Sequence, residues 1–397
     1  MDYNLHIDMS RGKPCKEQLD ICLPILECNE YLSSDGTDCR NYGVIDGIVE
    51  VKELFAEIFG CESNEVFIGG NSSLNLMYSI LDMLLIKGEK QPWFNIKNRK
   101  MLCPCPGYDR HFKIAEYLGF ELIPIKLNQD GPDMDTIEKL VSEDDSIKGI
   151  FCVPVYSNPD GYVYSDETVY RFAKLQSKAK DFKIFWDNAY MLHHFTEEEL
   201  IIPNLLNEAK KYNNENMVYM FFSTSKMTFS GAGISAVACS RENISYVKEN
   251  ISISRICYDR LNQLRHVKFL KNLDNIKEIM KKHACYIKPK FDIAFRILKE
   301  KFGEGNEFIK WTKPKGGYFF SIYLKNGFAR RVIKKCREDG VIFTDAGAAY
   351  PYGIDKEDSH IRFAPTYASV EEIEIATRVL CEVVKKEIMC YNTNRST

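Results

Sequence analysis

The sequence predicts an α/β fold: a large domain built on a mostly parallel sheet, with a smaller α+β domain beside it. Three observations lead there. The middle of the chain alternates helical and strand-like apolar patterns, as strands joined by crossover helices do. Three apolar runs in that region break at their carboxyl ends into polar residues, near Asn158, Asp187 and Lys226. The last hundred or so residues then change character, to short strands beside helical stretches.

Each element has its own signal. Leu74, Leu76, Met77, Ile80, Leu81, Leu84 and Leu85 recur at helical spacing directly after Gly69-Gly70-Asn71-Ser72-Ser73, so a glycine-hydroxyl turn opens a helix. Gly149 to Val153 and Lys183 to Trp186 read as strands. Between them Ser165 caps a helix whose first turn carries Asp166 and Glu167. Met220-Phe221-Phe222 is a third strand, running into Ser223-Thr224-Ser225-Lys226. A helical stretch from Val267 to Ile297 joins the two domains. Beyond it, Gly317 to Tyr323 and His360 to Ala364 are strand-like, and Ser369-Val370-Glu371-Glu372 is a capping box opening the last helix. The expected division is 46–284 for the large domain, with 1–45 and 285–397 forming the small one.

Bulk properties exclude several classes. The chain has 397 residues, 45% apolar and 27% charged, enough for two cores in an ordinary globular protein. A net charge of −3 with scattered basic residues gives no footprint for nucleic acid. No run reaches the roughly 18 apolar residues of a membrane span, and the polar start Met1-Asp2-Tyr3-Asn4 lacks a signal peptide's apolar core. A cytoplasmic protein is expected. The 14 cysteines are dispersed, with Cys103-Pro104-Cys105 the one tight pair, so reduced thiols are expected rather than a zinc site or disulfide scaffold. His193-His194 lacks the further ligands a metal needs. No phosphate-loop lysine motif and no G-x-G-x-x-G after a strand is present.

An amine, an amide and a carboxylate at the ends of neighbouring strands are what an enzyme needs to hold pyridoxal phosphate. That cofactor wants an amine for a Schiff base, a carboxylate for its ring nitrogen, donors for its phenolic oxygen and a phosphate cradle. In open α/β sheets such groups gather beyond the carboxyl ends of the strands. Lys226 supplies the amine after an apolar run unsuited to a surface lysine. Asp187 is the buried carboxylate, or alternatively a helix cap. Tyr190, within one turn of it, and Asn158 are donors; Asn158 also fits a plain turn. Ser72 and Ser73 suit a phosphate at a helix start, although capping alone explains them. Tyr108 stacks on a ring or fills the core. Arg362, in an apolar strand, grips a planar carboxylate or forms an internal salt bridge.

Ser10-Arg11-Gly12-Lys13-Pro14, Asn41-Tyr42-Gly43, Gly70-Asn71-Ser72-Ser73, Pro106-Gly107-Tyr108, Asn158-Pro159-Asp160-Gly161, Asp187-Asn188-Ala189-Tyr190, Ser223-Thr224-Ser225-Lys226 and Arg362 follow one another in order. Along nearly its whole length the chain thereby resembles fold-type I pyridoxal-phosphate aminotransferases of the aspartate aminotransferase superfamily, most of all a divergent bacterial group. The resemblance implies a seven-stranded, mostly parallel large sheet and Lys226 as both Schiff-base lysine and proton shuttle. It implies that Asp187 pairs with the pyridinium, that Asn158 and Tyr190 bind the phenolic oxygen, and that Tyr108 stacks on the ring. Ser72, Ser73 and Ser223 would hold the phosphate, joined by Tyr42 from the partner of a homodimer. Gly12, Asn158 and Arg362 would bind the substrate. Two positions depart from the pattern. Ile234 stands where the family carries a basic phosphate ligand, leaving the phosphate to hydroxyls, helix amides and a partner-chain residue from the stretch Tyr258 to Gln263. The reader of a distal carboxylate is unassigned among Arg11, Lys13, Arg255, Arg260 and Arg265.

The expected activity is amino transfer between aspartate and 2-oxoglutarate in ping-pong order. The rival readings are transfer from aromatic, branched or aminoadipate-type donors, a β-lyase, and a cofactor-sensing regulator.

Overall fold

The structure, a computed structural model, describes residues 5–196 and 200–396. Its larger sheet has the order Val66–Ile68, Ser235–Cys239, Val218–Ser223, Lys183–Asp187, Ile147–Cys152, Lys100–Cys105, Glu121–Asn128, Gly131–Pro132. Seven strands of three or more residues are thus joined by a two-residue edge strand, Gly131–Pro132, which makes the described sheet eight-stranded rather than seven. The five strands from Val218–Ser223 to Glu121–Asn128 run parallel, and Ser235–Cys239 is antiparallel to both its neighbours.

Alternation along the central strands builds two cores from one sheet. Side chains on successive residues point to opposite faces. Val218, Met220 and Phe222 therefore join Ile184 and Trp186 on one face, while Tyr219, Phe221 and Phe185 pack on the other. A strand buried on both faces reads as a continuous apolar run, which is why these were legible.

The smaller sheet orders Ile309–Trp311, Phe320–Leu324 and His360–Phe363, all antiparallel, and a two-residue pair joins Ile7–Asp8 to Val341–Ile342. The helix Leu273–Phe302 runs from one core to the other. Ile276, Ile279 and Met280 lie in the large sheet's core, and Ile287, Phe291, Ala294 and Ile297 in the small sheet's. The N-terminal segment is shared: Ile7 and Met9 pack in the second core, Cys39 in the first.

The predicted caps form. Ser165 accepts from the Thr168 amide at 3.2 Å. Ser369 and Glu372 exchange reciprocal bonds at 2.8 and 3.2 Å at the start of the helix Val370–Ser396. All 14 cysteines are free thiols. Among the described residues no helix is long and apolar enough to cross a membrane, and no cluster of three or more His, Cys, Asp or Glu is placed to hold a metal.

Candidate active site

Three neighbouring parallel strands, Ile147–Cys152, Lys183–Asp187 and Val218–Ser223, end on the same side of the sheet, and their extensions deliver Asn158, Asp187 and Lys226. Above them opens a cleft of about 570 Å³ whose wall includes Gly12, Tyr108, Asn158, Tyr190, Lys226 and Arg362. Residues far apart in the chain meet there because parallel strands put all their carboxyl ends on one edge.

Lys226 closes a single 3-10 turn, Thr224–Lys226, and its Nζ stands 4.9 Å from the centre of the Tyr190 ring. Burial pushes its pKa below the usual lysine value, because a charge is costly away from water; the Asp187 carboxylate offsets part of that. From behind, Tyr318 donates to the Lys226 carbonyl at 3.0 Å, and Gln18 donates to the Tyr318 hydroxyl at 2.9 Å. Both side chains are fully buried. The lysine backbone is therefore braced by a segment of the smaller core.

Asp187 is buried, and a buried carboxylate needs partners. One oxygen accepts from the Ala189 amide at 3.1 Å and the other lies 3.2 Å from His111 Nε2. His111 stacks on Phe151 at 4.8 Å and meets Tyr108 edge-on at 4.9 Å. Tyr190 is fully enclosed; burial first, then Tyr108 and Asp187, pushes its hydroxyl pKa well up, so the phenol keeps its proton. Burial also raises Tyr108, to about 12. The Asn158 side chain is buried and its oxygen has no hydrogen-bond partner within the chain. Such an orphan is expensive unless something outside the chain satisfies it.

Beside the lysine turn, Ser73 Oγ lies 3.4 Å from Ser223 Oγ, Ser223 donates to Ser225 at 3.1 Å, and Ser225 donates to the Asn71 carbonyl at 2.7 Å. Ser72 caps the helix Ser73–Ile86 without a side-chain bond. The first intrahelical bond there runs from the Leu76 amide to Ser72, so the amides before it have no acceptor within the helix. Hydroxyls and free amides at a helix start suit an anion. Ile234 is buried, its amide donating to Thr224 Oγ1 at 3.0 Å, and offers no charge. Arg255 stacks on Tyr258 at 5.5 Å, and the Tyr258 ring borders Gly70 in the same turn.

Arg362 is nearly buried. It donates to Asp109 at 2.9 Å, to Thr344 Oγ1 at 3.0 and 3.3 Å, and to the Ser10 carbonyl at 3.3 Å. The internal salt bridge weighed from sequence thus exists, at the cleft wall itself. Gly12 is required here by close approach: a Cβ would stand 2.5 Å from the Phe319 ring, which also faces Tyr190 and the Arg362 guanidinium.

Other expected residues lie elsewhere. Tyr42 is 73% exposed and does not line the cleft of its own chain. Arg260, a distal-carboxylate candidate, is buried instead on the carbonyls of Asp38, Asn41 and Tyr42. Arg255 and Arg265 do not line the cleft, whereas Arg11 and Lys13 do. Sequence reasoning missed His111, Asp109, Tyr318 and Gln18. Only His111 had a local signal, one helical turn after Tyr108 on the helix Asp109–Tyr117.

The sequence model of the family described as aspartate amino-transferase matches residues 2–394. A putative aminotransferase of Mycolicibacterium smegmatis is 40% identical over 94% of this chain and 89% of its own length. An aspartate aminotransferase of Corynebacterium glutamicum is 38% identical over 94% of this chain and 87% of its own. The crystal structure of an aspartate transaminase from that organism superposes with a TM-score of 0.93 at 38% identity, covering 96% of this chain and 91% of the other. The chain belongs to the aspartate aminotransferase family and is an aminotransferase.

Proposed function

We propose that this aminotransferase uses pyridoxal 5'-phosphate to move the amino group of aspartate to 2-oxoglutarate, as a cytoplasmic homodimer divided into domains 46–284 and 1–45 with 285–397. The observation that carries the reading is the convergence of a pKa-lowered lysine, a buried carboxylate and an orphaned asparagine oxygen under one cleft. The donor set fits the cofactor on each side: Lys226 for its aldehyde, Asp187 for its ring nitrogen, Asn158 and Tyr190 for its phenolic oxygen. Ser72, Ser73 and Ser223 with the helix amides hold the phosphate, Tyr108 covers the ring, and Tyr42 reaches the partner's site. When bound, pyridoxal phosphate supplies an aldehyde carbon and a ring that withdraws electrons from the substrate α-carbon.

The protein's own groups do the rest. Arg362, held in place by Asp109 and Thr344, orients the substrate α-carboxylate together with the Gly12 backbone. Lys226, with its amine pKa lowered by burial, would take the substrate α-proton as general base and return it as general acid two atoms away, at the aldehyde-derived carbon. Asp187, fixed by His111 and the Ala189 amide, keeps its charge aimed at the ring nitrogen without reorganising during the reaction. The Tyr318 bond to the lysine carbonyl limits where that amine can swing.

The test is chemical. Borohydride reduction of the purified yellow protein, followed by peptide mapping, should leave a pyridoxyl tag on Lys226, and Lys226→Ala should abolish turnover. A tag elsewhere, or near-normal transamination by the variant, would overturn the assignment. A donor panel with 2-oxoglutarate separates aspartate from aromatic, branched and aminoadipate-type substrates.

A further inference from the structure

The chain carries a net charge of −3, yet the cleft wall holds seven basic side chains and two acidic ones. Part of that surplus is not spent on ion pairs. Arg362 is neutralised by Asp109 at 2.9 Å, Arg337 by Asp345 at 2.6 Å, and Lys13 approaches Asp8 at 4.0 Å. Lys226 is the amine at the floor. Arg11, Arg110 and Lys113 remain, exposed and with no ion-pair partner among the described residues.

Two of these three share a helix face with Asp109, the ion-pair partner of Arg362. The helix Asp109–Tyr117 advances about 100° per residue, so Asp109, Lys113 and Arg110 fall on one side in that order, while His111 turns away toward Asp187. Asp109 fixes the direction of that side, because it touches Arg362 in the cleft wall. Arg110 and Lys113, three residues apart, are neighbours on the helix surface. A cationic rim on a concave wall concentrates anions and gives a second carboxylate somewhere to bind.

We propose that Arg110 and Lys113, together with Arg11, form the subsite for the distal carboxylate of dicarboxylic amino acids and oxo acids. The inference rests on the aminotransferase reading of this cleft and deepens it by assigning residues to substrate choice. One end of the substrate meets Arg362, and the other meets this rim within the same cleft. Arg260, buried on backbone carbonyls, is unavailable for that role in its own chain.

The experiment measures kcat/KM for aspartate and for alanine with the holoenzyme and with Arg110→Gln, Lys113→Gln and the double variant. In parallel, calorimetry measures the binding of succinate and of butyrate, which cannot react. All three side chains are exposed, and thermal melts check that each variant folds. A charged hydrogen bond lost here should lower the aspartate-to-alanine ratio by about tenfold to a hundredfold, and weaken succinate without weakening butyrate. If the wild type prefers aspartate and the variants keep its ratio and its succinate affinity, the subsite assignment falls while the proposed function stands. If the wild type prefers alanine or other monocarboxylates, the dicarboxylate reading falls, and the subsite with it.

Discussion

Lys226 sits between two opposing influences, burial that disfavours its charge and the Asp187 carboxylate that favours it. Removing the carboxylate leaves only the first, so the sign of the effect is fixed. In cofactor-free protein, the amine of Lys226 should react with trinitrobenzenesulfonate at lower pH than exposed lysines do. In Asp187→Asn the midpoint should move lower still; peptide-resolved labelling against pH reads it, and an upward shift would contradict the arrangement. The same carboxylate shows why some of this site was legible and some was not. Asp187 announced itself by ending an apolar strand. Its partner His111 lies 76 residues away on a different element, and no spacing rule links the two. Arg362 was ambiguous for a related reason: a guanidinium in a strand is equally useful to Asp109 and to a substrate, and here it touches the first while lining the cleft proposed for the second.

The turn Asn158 to Gly161 joins the two halves through a buried contact. Tyr323, on the strand Phe320–Leu324, donates to both oxygens of Asp160 at 2.8 and 2.9 Å. Burial raises the Asp160 pKa from 3.8 to about 6, outweighing the hydrogen bonds from Ser321 and Tyr323. A raised carboxyl pKa means the folded state binds the proton more tightly than the unfolded chain. Its stabilising contribution is therefore complete below about pH 4 and is lost as pH rises through about 6, amounting to roughly 3 kcal/mol at most. Urea midpoints should fall across that window, and Asp160→Asn should flatten the dependence. An unchanged slope in the variant would show that another group carries it. The helix Asp109–Tyr117 owes its value to facing Arg362 with one side and Asp187 with another.

At the scale of the whole molecule, Tyr42 stands 73% exposed outside its own cleft, beside a loop that Arg260 pins by its backbone. An exposed tyrosine on a loop anchored through its backbone carbonyls is suited to complete a neighbour's site. If it does, Tyr42→Ala and Lys226→Ala should each be impaired as homodimers, and mixing them should restore activity. A mixed dimer contains one site with both residues intact. Recovery approaching half of the wild-type activity per mixed dimer is expected, and no recovery on subunit exchange, followed by native mass spectrometry, would place Tyr42 outside the shared site. The sequence by itself determined the alternating α/β order, the helix caps at Ser165 and Ser369, and the three strand ends carrying Asn158, Asp187 and Lys226. Those are local properties, written in periodicity and in the break from apolar to polar residues. Only the tertiary structure decided that His111 meets Asp187, that Tyr318 and Gln18 brace Lys226, that Asp109 holds Arg362, and that unpaired cations gather at the cleft. Such pairings are made by elements brought together through parallel strands and a small sheet folded back on them, and the distance in sequence between partners leaves no periodic trace.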